Sequence, residues 1–505
     1  MFKNYLNLQN INTIFFKNLF ILILPFILVS GPFIPDFLIS LAAIFFIISY
    51  KKYNYKEIIS SKYLIFLFLF WIYIVINSFF STSIMVSLKS SLPYFRFIIL
   101  IFLLKLFLKE KLSLKILLIS FFLLYIFLLV DSIIQLNTGF NLFGYNLDAS
   151  KRVSSIFNEE LILGRFVSKT FVIILFLIFF LDLKHKYFLY VVTIIVSGLL
   201  VYLSRERSAL FVYIISFIFS LFLIKKFFLL KMIVIIFSLM AATVVINFDP
   251  MQRLYFHSLS QIKQANGLYP SPRHFLHYDT GYKIFKENPF LGGGIKSFRF
   301  LCSKEIYQNT DETIISVAQK IISPFDGYFV LSNIDEYQYL LVVNKAGYNK
   351  LKLKIDDPSF LITFPQDHTI SKNDILYKEP IDQKNFKKTY FKNYQYVKKG
   401  DLLASIYEFK NGCNTHPHNF YIQFLSEIGL IGFIFLLVFY IYILKSLVIK
   451  IYNYIKQDKI TSDIPIYGLY LALFFPILTS GNFFNNYLSI LLFLPFSFIL
   501  ICEQR

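Results

Sequence analysis

Residues 63–80 read Tyr63-Leu-Ile-Phe-Leu-Phe-Leu-Phe-Trp-Ile-Tyr-Ile-Val-Ile-Asn-Ser-Phe-Phe80, without a single charge. A helix needs about 20 apolar residues to cross the hydrocarbon core of a bilayer. Lipid gives the backbone no hydrogen-bond partner, so a run of this kind crosses as a helix. Eleven more apolar runs flank it, near 14–30, 34–50, 93–108, 114–133, 168–182, 187–203, 207–224, 227–247, 419–444, 465–480 and 484–502. Composition agrees: 57% of the 505 residues are hydrophobic and only 16% are charged, well under the roughly 25% of soluble domains. The expected fold is therefore an all-α polytopic membrane protein with about twelve transmembrane helices. The first run is long and no small-residue cleavage site follows it, so it reads as a retained span.

Charge in the connecting loops alternates. Lys51, Lys52, Lys56 and Lys62 follow the second run, and Lys105, Lys109, Lys111 and Lys115 surround the next turn of the same parity. Lys184 and Lys186, then Lys225, Lys226 and Lys231, then Lys445, Lys450, Lys456 and Lys459 continue the series. The other short loops, Gly31 to Pro35, Ser81 to Pro93 and Ser480 to Asn482, are nearly uncharged. The positive-inside rule then puts both termini in the cytoplasm. This pattern also accounts for the net charge of +20, so no nucleic-acid partner is implied. Two expected outer segments carry cations: 134–167 with Lys151, Arg152 and Arg165, and the turn Leu203-Ser-Arg-Glu-Arg207. Snorkelling toward the interface explains such residues, and so does an anionic ligand.

Residues 248–418 form one long outer loop between 1–247, which holds the first nine runs, and 419–505, which holds the last three. From about 321 to 411 its texture becomes strand-like, as in Gly327-Tyr-Phe-Val-Leu331, Tyr337-Gln-Tyr-Leu-Leu-Val-Val343 and Leu402-Leu-Ala-Ser-Ile-Tyr407. Ser323-Pro-Phe-Asp-Gly-Tyr328 and Val397-Lys-Lys-Gly-Asp-Leu-Leu403 resemble the opening and closing turns of a barrel-sandwich hybrid. No Met-Lys or Asp-Lys modification turn lies between them, which speaks against a lipoyl-type carrier. Cys302 and Cys413 flank this β-rich insert and are candidates for a disulfide in an oxidising compartment. Cys502 ends the last run.

Chemistry concentrates where the loop enters the tenth run: Thr415-His-Pro-His-Asn-Phe-Tyr-Ile-Gln-Phe-Leu-Ser-Glu-Ile-Gly-Leu-Ile-Gly-Phe433. Pro417 suits a helix start. His416 and His418 stand together, but no neighbouring Cys or carboxylate completes a zinc pattern, so no metal is expected. The His418-Asn419 pair, nine residues and Gly429 resemble the His-Asn-x9-Gly motif of the O-antigen ligase family. Ser204-Arg-Glu-Arg-Ser-Ala-Leu210 is similar to that family's Ser-Arg-x-Ala turn. Arg273 followed by Lys286-Glu-Asn-Pro-Phe-Leu-Gly-Gly-Gly294 is similar to its Arg…Asn-Pro-Leu-x-Gly-x-Gly segment. Arg152-Val-Ser-Ser-Ile-Phe157 with Glu160 is a weaker match. The resemblance covers most of the chain from 140 to 500, and the β-rich insert departs from it.

The resemblance implies transfer of a glycan from a polyprenyl-diphosphate carrier to a sugar hydroxyl, on lipid A-core for a ligase or on a second lipid-linked chain for a polymerase. The ligase-type motif favours the former. It further implies the bacterial inner membrane, an active site on the periplasmic face, membrane lipids as surroundings and no cofactor. His418 would be the general base, a task for a neutral imidazole near pH 7. The chain has no Asp-x-Asp to hold a metal on a diphosphate. Arginine can bind phosphate instead, through its planar fork. Arg207 and Arg273 are carried over for that role, with Arg205 as the competing alignment of the same turn. Asn419, His416, Arg152 and Glu160 are supporting candidates, and Glu427 is a further one. A single displacement would invert the anomeric centre. A lipid-linked glycan flippase is the rival reading, but no internal repeat of the transporter kind is visible. A non-enzymatic assembly protein is a third.

Overall fold

A computed structural model describes residues 2–48, 61–148, 152–158, 160–224, 272–307, 320–334, 337–352, 372–381, 386–389, 394–406, 412–457 and 461–502. The run expected at 227–247 lies outside the described residues, as do Lys51, Lys52, Lys56, Lys151, Lys225, Lys226, Lys231 and Lys459. The chain divides into two compact units. One comprises Met1–His257, Gly281–Leu301 and Thr415–Arg505; the other comprises Ser258–Thr280 and Cys302–Asn414.

The first unit is helical. Among the described residues, seven helices are long and apolar enough to cross a membrane: Lys62–Phe79, Ile84–Phe107, Lys111–Thr138, Leu163–Phe180, Lys186–Ser204, Arg207–Ile224 and Phe420–Gln457. Four shorter apolar helices accompany them: Lys17–Val29, Phe33–Ile44, Ile464–Leu473 and Asn486–Cys502. Leu163–Phe180 is the central one. Every side chain from Thr170 to Ile178 is buried, because helices Lys186–Ser204, Arg207–Ser220, Ile464–Leu473 and Asn486–Cys502 all pack on it. Many other helices expose Phe, Leu and Ile on one side, which water would penalise and lipid tails accept.

Three boundaries differ from expectation. The loop expected from Ser81 to Pro93 is mostly helix, Ile84–Ser91, continued by a 3-10 turn Leu92–Tyr94. Pro93 is accommodated there because the first positions of a helical turn need no N–H. The run expected at 465–480 stops being helical at Leu473, shortly before Pro476, where the chain turns into a loop that reaches Asn485. The missing N–H and the steric demand of proline oppose helix at and before that position. The tenth run starts at Phe420 rather than at Pro417 and extends to Gln457.

The second unit is a small β-sandwich closed by a disulfide. Its strands are β1 (Lys320–Ile322), β2 (Gly327–Ile334), β3 (Tyr337–Val343), β4 (Ile375–Ile381), β5 (Phe386–Thr389), β6 (Tyr396–Val397) and β7 (Leu402–Ile406). They form sheets β1-β7-β5 and β4-β3-β2-β6, antiparallel throughout. Ile321, Leu403 and Ala404 from one sheet meet Phe329, Leu340, Val342 and Val397 from the other in one apolar cluster. Alternate residues Val330, Leu341 and Val343 face the opposite side, where helix Lys345–Lys352 packs on β2 and β3. The two turns that stand out in the sequence lie side by side. The Ser323 N–H donates to the Asp401 carbonyl at 2.9 Å and the Gly400 N–H donates to the Ser323 carbonyl at 2.8 Å. The Lys399 N–H donates to Asp326 Oδ1 at 2.6 Å. Cys302 and Cys413 are joined in a disulfide.

Candidate active site

Helix Phe420–Gln457 is interrupted at Gly429, whose φ of 67° and ψ of −168° belong to a region that glycine alone visits routinely. The break separates four backbone groups that a continuous helix would pair: the carbonyls of Ser426 and Glu427 and the N–H groups of Leu430 and Ile431. The Gly-rich segment after Asn288 takes them over. Gly293 N–H donates to Ser426 O at 2.8 Å and Gly294 N–H to Glu427 O at 2.7 Å. Leu430 N–H donates to Pro289 O at 2.8 Å and Ile431 N–H to Phe290 O at 3.4 Å. The approach leaves no room for side chains. A Cβ on Gly429 would sit 2.2 Å from Phe290 O, and one on Gly292 would sit 2.6 Å from the Glu427 carbonyl carbon. Helix Lys62–Phe79 and the turn after it bind the same segment: Asn77 Nδ2 donates to Leu291 O at 2.6 Å and the Thr82 hydroxyl to Gly293 O at 3.1 Å. Each such group left unpaired in a buried position costs about 1–3 kcal/mol. Two motifs far apart in sequence are thus one structural device.

That device ends in the histidine segment. Asn419 is buried, and all its hydrogen-bonding capacity is spent. Its Oδ1 accepts from the N–H groups of Tyr421 (2.9 Å) and Ile422 (3.1 Å), capping the helix. Its Nδ2 donates to the carbonyls of Pro476 (2.7 Å) and Leu478 (3.3 Å). The side chain therefore holds the loop after Leu473 against the helix start. His418 precedes it with φ of 57°, left-handed geometry that is uncommon for a residue with a Cβ. Its carbonyl accepts from the Ser480 N–H at 2.8 Å. Its ring is half-buried and lies tilted beside that of His416, centroids 4.1 Å apart. His416 is more deeply placed, with Nδ1 3.0 Å from the Thr415 hydroxyl. Farther along the helix, Gln423 Nε2 bridges Glu427 Oε2 (3.0 Å) and Asn482 Oδ1 (2.7 Å), and its Oε1 accepts from the Phe483 N–H (2.9 Å). Glu427 is thus part of the scaffold that holds the 478–485 loop.

The arginine turn joins two other helices of the same unit. Helix Lys186–Ser204 ends with Arg205 in left-handed geometry, and helix Arg207–Ser220 begins two residues later. Between them Glu206 is buried. Its Oε1 accepts from the N–H groups of Gly164 (3.0 Å) and Arg165 (3.3 Å), and its Oε2 pairs with Arg165 Nε at 2.9 Å. A Cβ on Gly164 would lie 2.2 Å from Ser204 Oγ, so the turn rests directly on the start of helix Leu163–Phe180. Burial raises the Glu206 pKa, and Arg165, Arg152 and the two N–H groups oppose that shift. Arg152 Nε donates to the Ser204 carbonyl (3.2 Å) and its Nη2 to the Leu161 carbonyl (3.3 Å), placing a cation at the carbonyl end of a helix. Burial lowers the Arg152 pKa; Glu206 opposes the shift and Arg165 adds to it. Arg207 is exposed at the first position of its helix, within electrostatic range of Arg152.

An open pocket joins these parts. Arg165, Lys169 and Ser208 line it on one side, and Leu478, Thr479 and Ser480 line it on the other. Ser480 is the residue whose N–H binds the His418 carbonyl, while His418, Arg205 and Arg207 are not themselves among the residues that line the pocket. Arg165 and Lys169 were not among the site residues expected from motifs. The available signal was their spacing: two cations four residues apart at the start of an otherwise apolar run occupy one helix face. Glu160 is exposed and contributes its backbone to the bend before Leu163, its carbonyl accepting from the Ile162 N–H at 2.8 Å. Arg273 lies in the first turn of helix Pro272–Glu287, in the second unit; its side chain falls outside the described residues.

A helical unit with apolar outward faces and a cationic pocket at the helix ends defines a polytopic membrane protein with a polar site. Residues 192–319 match the family model described as O-antigen ligase, which bears out the resemblance read from the motifs. The matched stretch contains the Ser204–Leu210 turn, Arg273 and the Lys286–Gly294 segment, and it ends before His418. The family implies O-antigen ligase or polymerase-type function, a glycosyl transfer that uses lipid-linked glycans. No curated protein and no solved structure matches the chain.

Proposed function

We propose that the chain moves a glycan from a polyprenyl-diphosphate carrier to a sugar hydroxyl on lipid A-core, without a metal and with inversion. The observation that carries this reading is the position of Ser480, which binds the His418 backbone and lines the pocket of Arg165, Lys169 and Ser208. In the proposed reaction His418 removes the proton of the acceptor hydroxyl. The freed oxygen attacks the anomeric carbon from the face opposite the diphosphate. The bond from that carbon to the diphosphate oxygen breaks, and its electron pair leaves with the carrier. Arg207, Arg205 and Arg273 offset the charge that develops there, as preorganised cations do. Asn419 and Arg152 act as positioning residues, since their hydrogen bonds are spent on backbone carbonyls and helix ends. The membrane arrangement belongs to the same proposal. Twelve spans with both termini in the cytoplasm put the site on the periplasmic face of the inner membrane. A disulfide in the 248–418 loop fits an oxidising compartment.

The test is glycan transfer in cells that make the chain's own lipid-linked glycan, comparing wild type with His418→Ala at matched membrane levels. General-base loss predicts a rate drop of about 100-fold to 10,000-fold, with lipid-linked donor accumulating. Loss of long chains on lipid A-core alone marks a ligase. Loss of chain lengthening on the carrier marks a polymerase. Full activity of the variant would overturn the mechanism.

A further inference from the structure

We propose that the turn from Gly139 to Leu147 is a lipid anchor, seating Phe140, Leu142 and Phe143 among acyl chains just below the headgroups. These side chains are 53%, 54% and 57% exposed. One exposed apolar residue is ordinary, but three within four positions call for a cover. Lipid is named by continuity. Helix Lys111–Thr138 exposes Ile119, Leu123, Ile126, Val130, Ile133 and Leu136, at steps of three and four that mark one helix face. Leu117, Phe121, Leu124 and Leu128 on the other side are buried. The exposed face is the one that a bilayer wets. The Phe143 ring lies against Phe127, centroids 6.3 Å apart, and Phe127 adjoins that face between Leu123 and Val130. The turn thus prolongs a surface already made for lipid.

The turn also sits at lipid depth. The helix has 28 residues, about 42 Å of axial rise, whereas the hydrocarbon core spans about 30 Å. A chain leaving Thr138 straight ahead would enter the headgroups or water. Instead Gly139 and Gly144, both at positive φ, fold it back. Leu142 N–H donates to Asp131 Oδ1 at 2.8 Å, two turns before the helix end and inside the apolar run 114–133. Backbone at that depth needs partners of its own, and this turn has them. Every N–H from Gly139 to Tyr145 donates within the protein, to the carbonyls of Gln135, Asn141 and Tyr145 and to the side chains of Asp131, Thr138 and Asn141. Asn141 Oδ1 alone accepts two, from Phe143 at 3.0 Å and Tyr145 at 2.8 Å. A loop in water can leave such groups to solvent. The same arrangement explains a carboxylate in an apolar run: Asp131, fully buried, holds the turn from inside.

The test places a nitroxide maleimide on the full-length protein in vesicles of phosphatidylethanolamine and phosphatidylglycerol. Cys502→Ser removes the free thiol, and Leu142→Cys and Phe143→Cys are labelled in turn. Collisions with oxygen, which concentrates in hydrocarbon, are compared with collisions with a water-soluble nickel chelate. Leu123→Cys gives the lipid reference. Lys398→Cys, exposed on a turn of the β-sandwich, gives the water reference. The oxygen-to-nickel ratio at positions 142 and 143 should exceed that at 398 several-fold and approach that at 123. Asn141→Ala, which takes the acceptor from two N–H groups, should return the ratio at 142 toward the water value. Nickel access equal to that at 398 would overturn the proposal by placing the turn in water. Low access to both reagents would overturn it by showing a protein cover, such as a second copy of the chain. A lipid-like ratio at 142 that Asn141→Ala leaves unchanged would overturn internal pairing as the reason the turn can enter lipid.

Discussion

Around Gly429 the fit is made by backbone against backbone, whereas around Glu206 it is made by one carboxylate among arginines. The first arrangement uses four exchanged hydrogen bonds between residues 289–294 and 426–431. It depends on the absence of side chains, so almost any substitution there is a collision. The second uses an ion pair whose carboxylate is buried, with two N–H contacts. It depends on charge, so it responds to pH and to neighbouring cations rather than to volume. The two regions should therefore fail in different ways.

The largest effect should come from Gly429→Ala. The backbone angles there cost a residue with a Cβ about 1–3 kcal/mol, and the new atom meets Phe290 O at 2.2 Å, adding a strain of similar size. Transfer should be abolished and the melting temperature in detergent should fall by several degrees. Wild-type melting and transfer would show that the segment after Asn288 yields easily. Asn419→Ala should come next. It removes a helix cap worth about 1 kcal/mol and leaves the carbonyls of Pro476 and Leu478 without their donor. Transfer should drop about tenfold to a hundredfold, and Asn419→Asp, which keeps the cap but not the donors, should fall between Ala and wild type. Equal losses in Asp and Ala would assign the whole effect to the 476–478 loop.

Glu206→Gln should have the smallest effect, and it should appear as a slope. Burial raises the Glu206 pKa in the folded protein, so the folded state binds this proton more readily than the unfolded chain. Stability then falls as pH rises from the ordinary carboxyl range to the raised value, and is level above it. Gln cannot titrate. Its melting temperature should be flatter across that window than that of wild type. A parallel pH dependence in wild type and Glu206→Gln would remove Glu206 as the titrating group.

Runs such as 63–80 were readable from the sequence because lipid imposes a length and forbids charge, without needing a partner. The β-rich insert was readable for a different reason: its turns carry Pro-Phe-Asp-Gly and Lys-Lys-Gly-Asp, and alternation follows. Helix Ile84–Ser91 was missed because its three serines look like a loop until Ser87 and Ser91 are seen buried, with hydroxyls bonded to Ile295 O and Ser78. Motif resemblance pointed to Gly429 and to Gly292–Gly294 separately. That they pair with each other is tertiary information that neither spacing contains. Lys169 was visible as a cation in an apolar run, but only the pocket gives it a direction.

The interrupted helix has a consequence for how the protein is made. In its own sequence, Phe420–Gln457 cannot satisfy the groups on either side of Gly429, so it would enter lipid with four bare polar groups. Their partners lie earlier in the chain, at Pro289–Gly294, and synthesis from the N-terminus delivers them first. The span is completed against a surface that the ribosome has already supplied. A chain in which these two segments were exchanged would have to hold the broken helix open until its partner arrived.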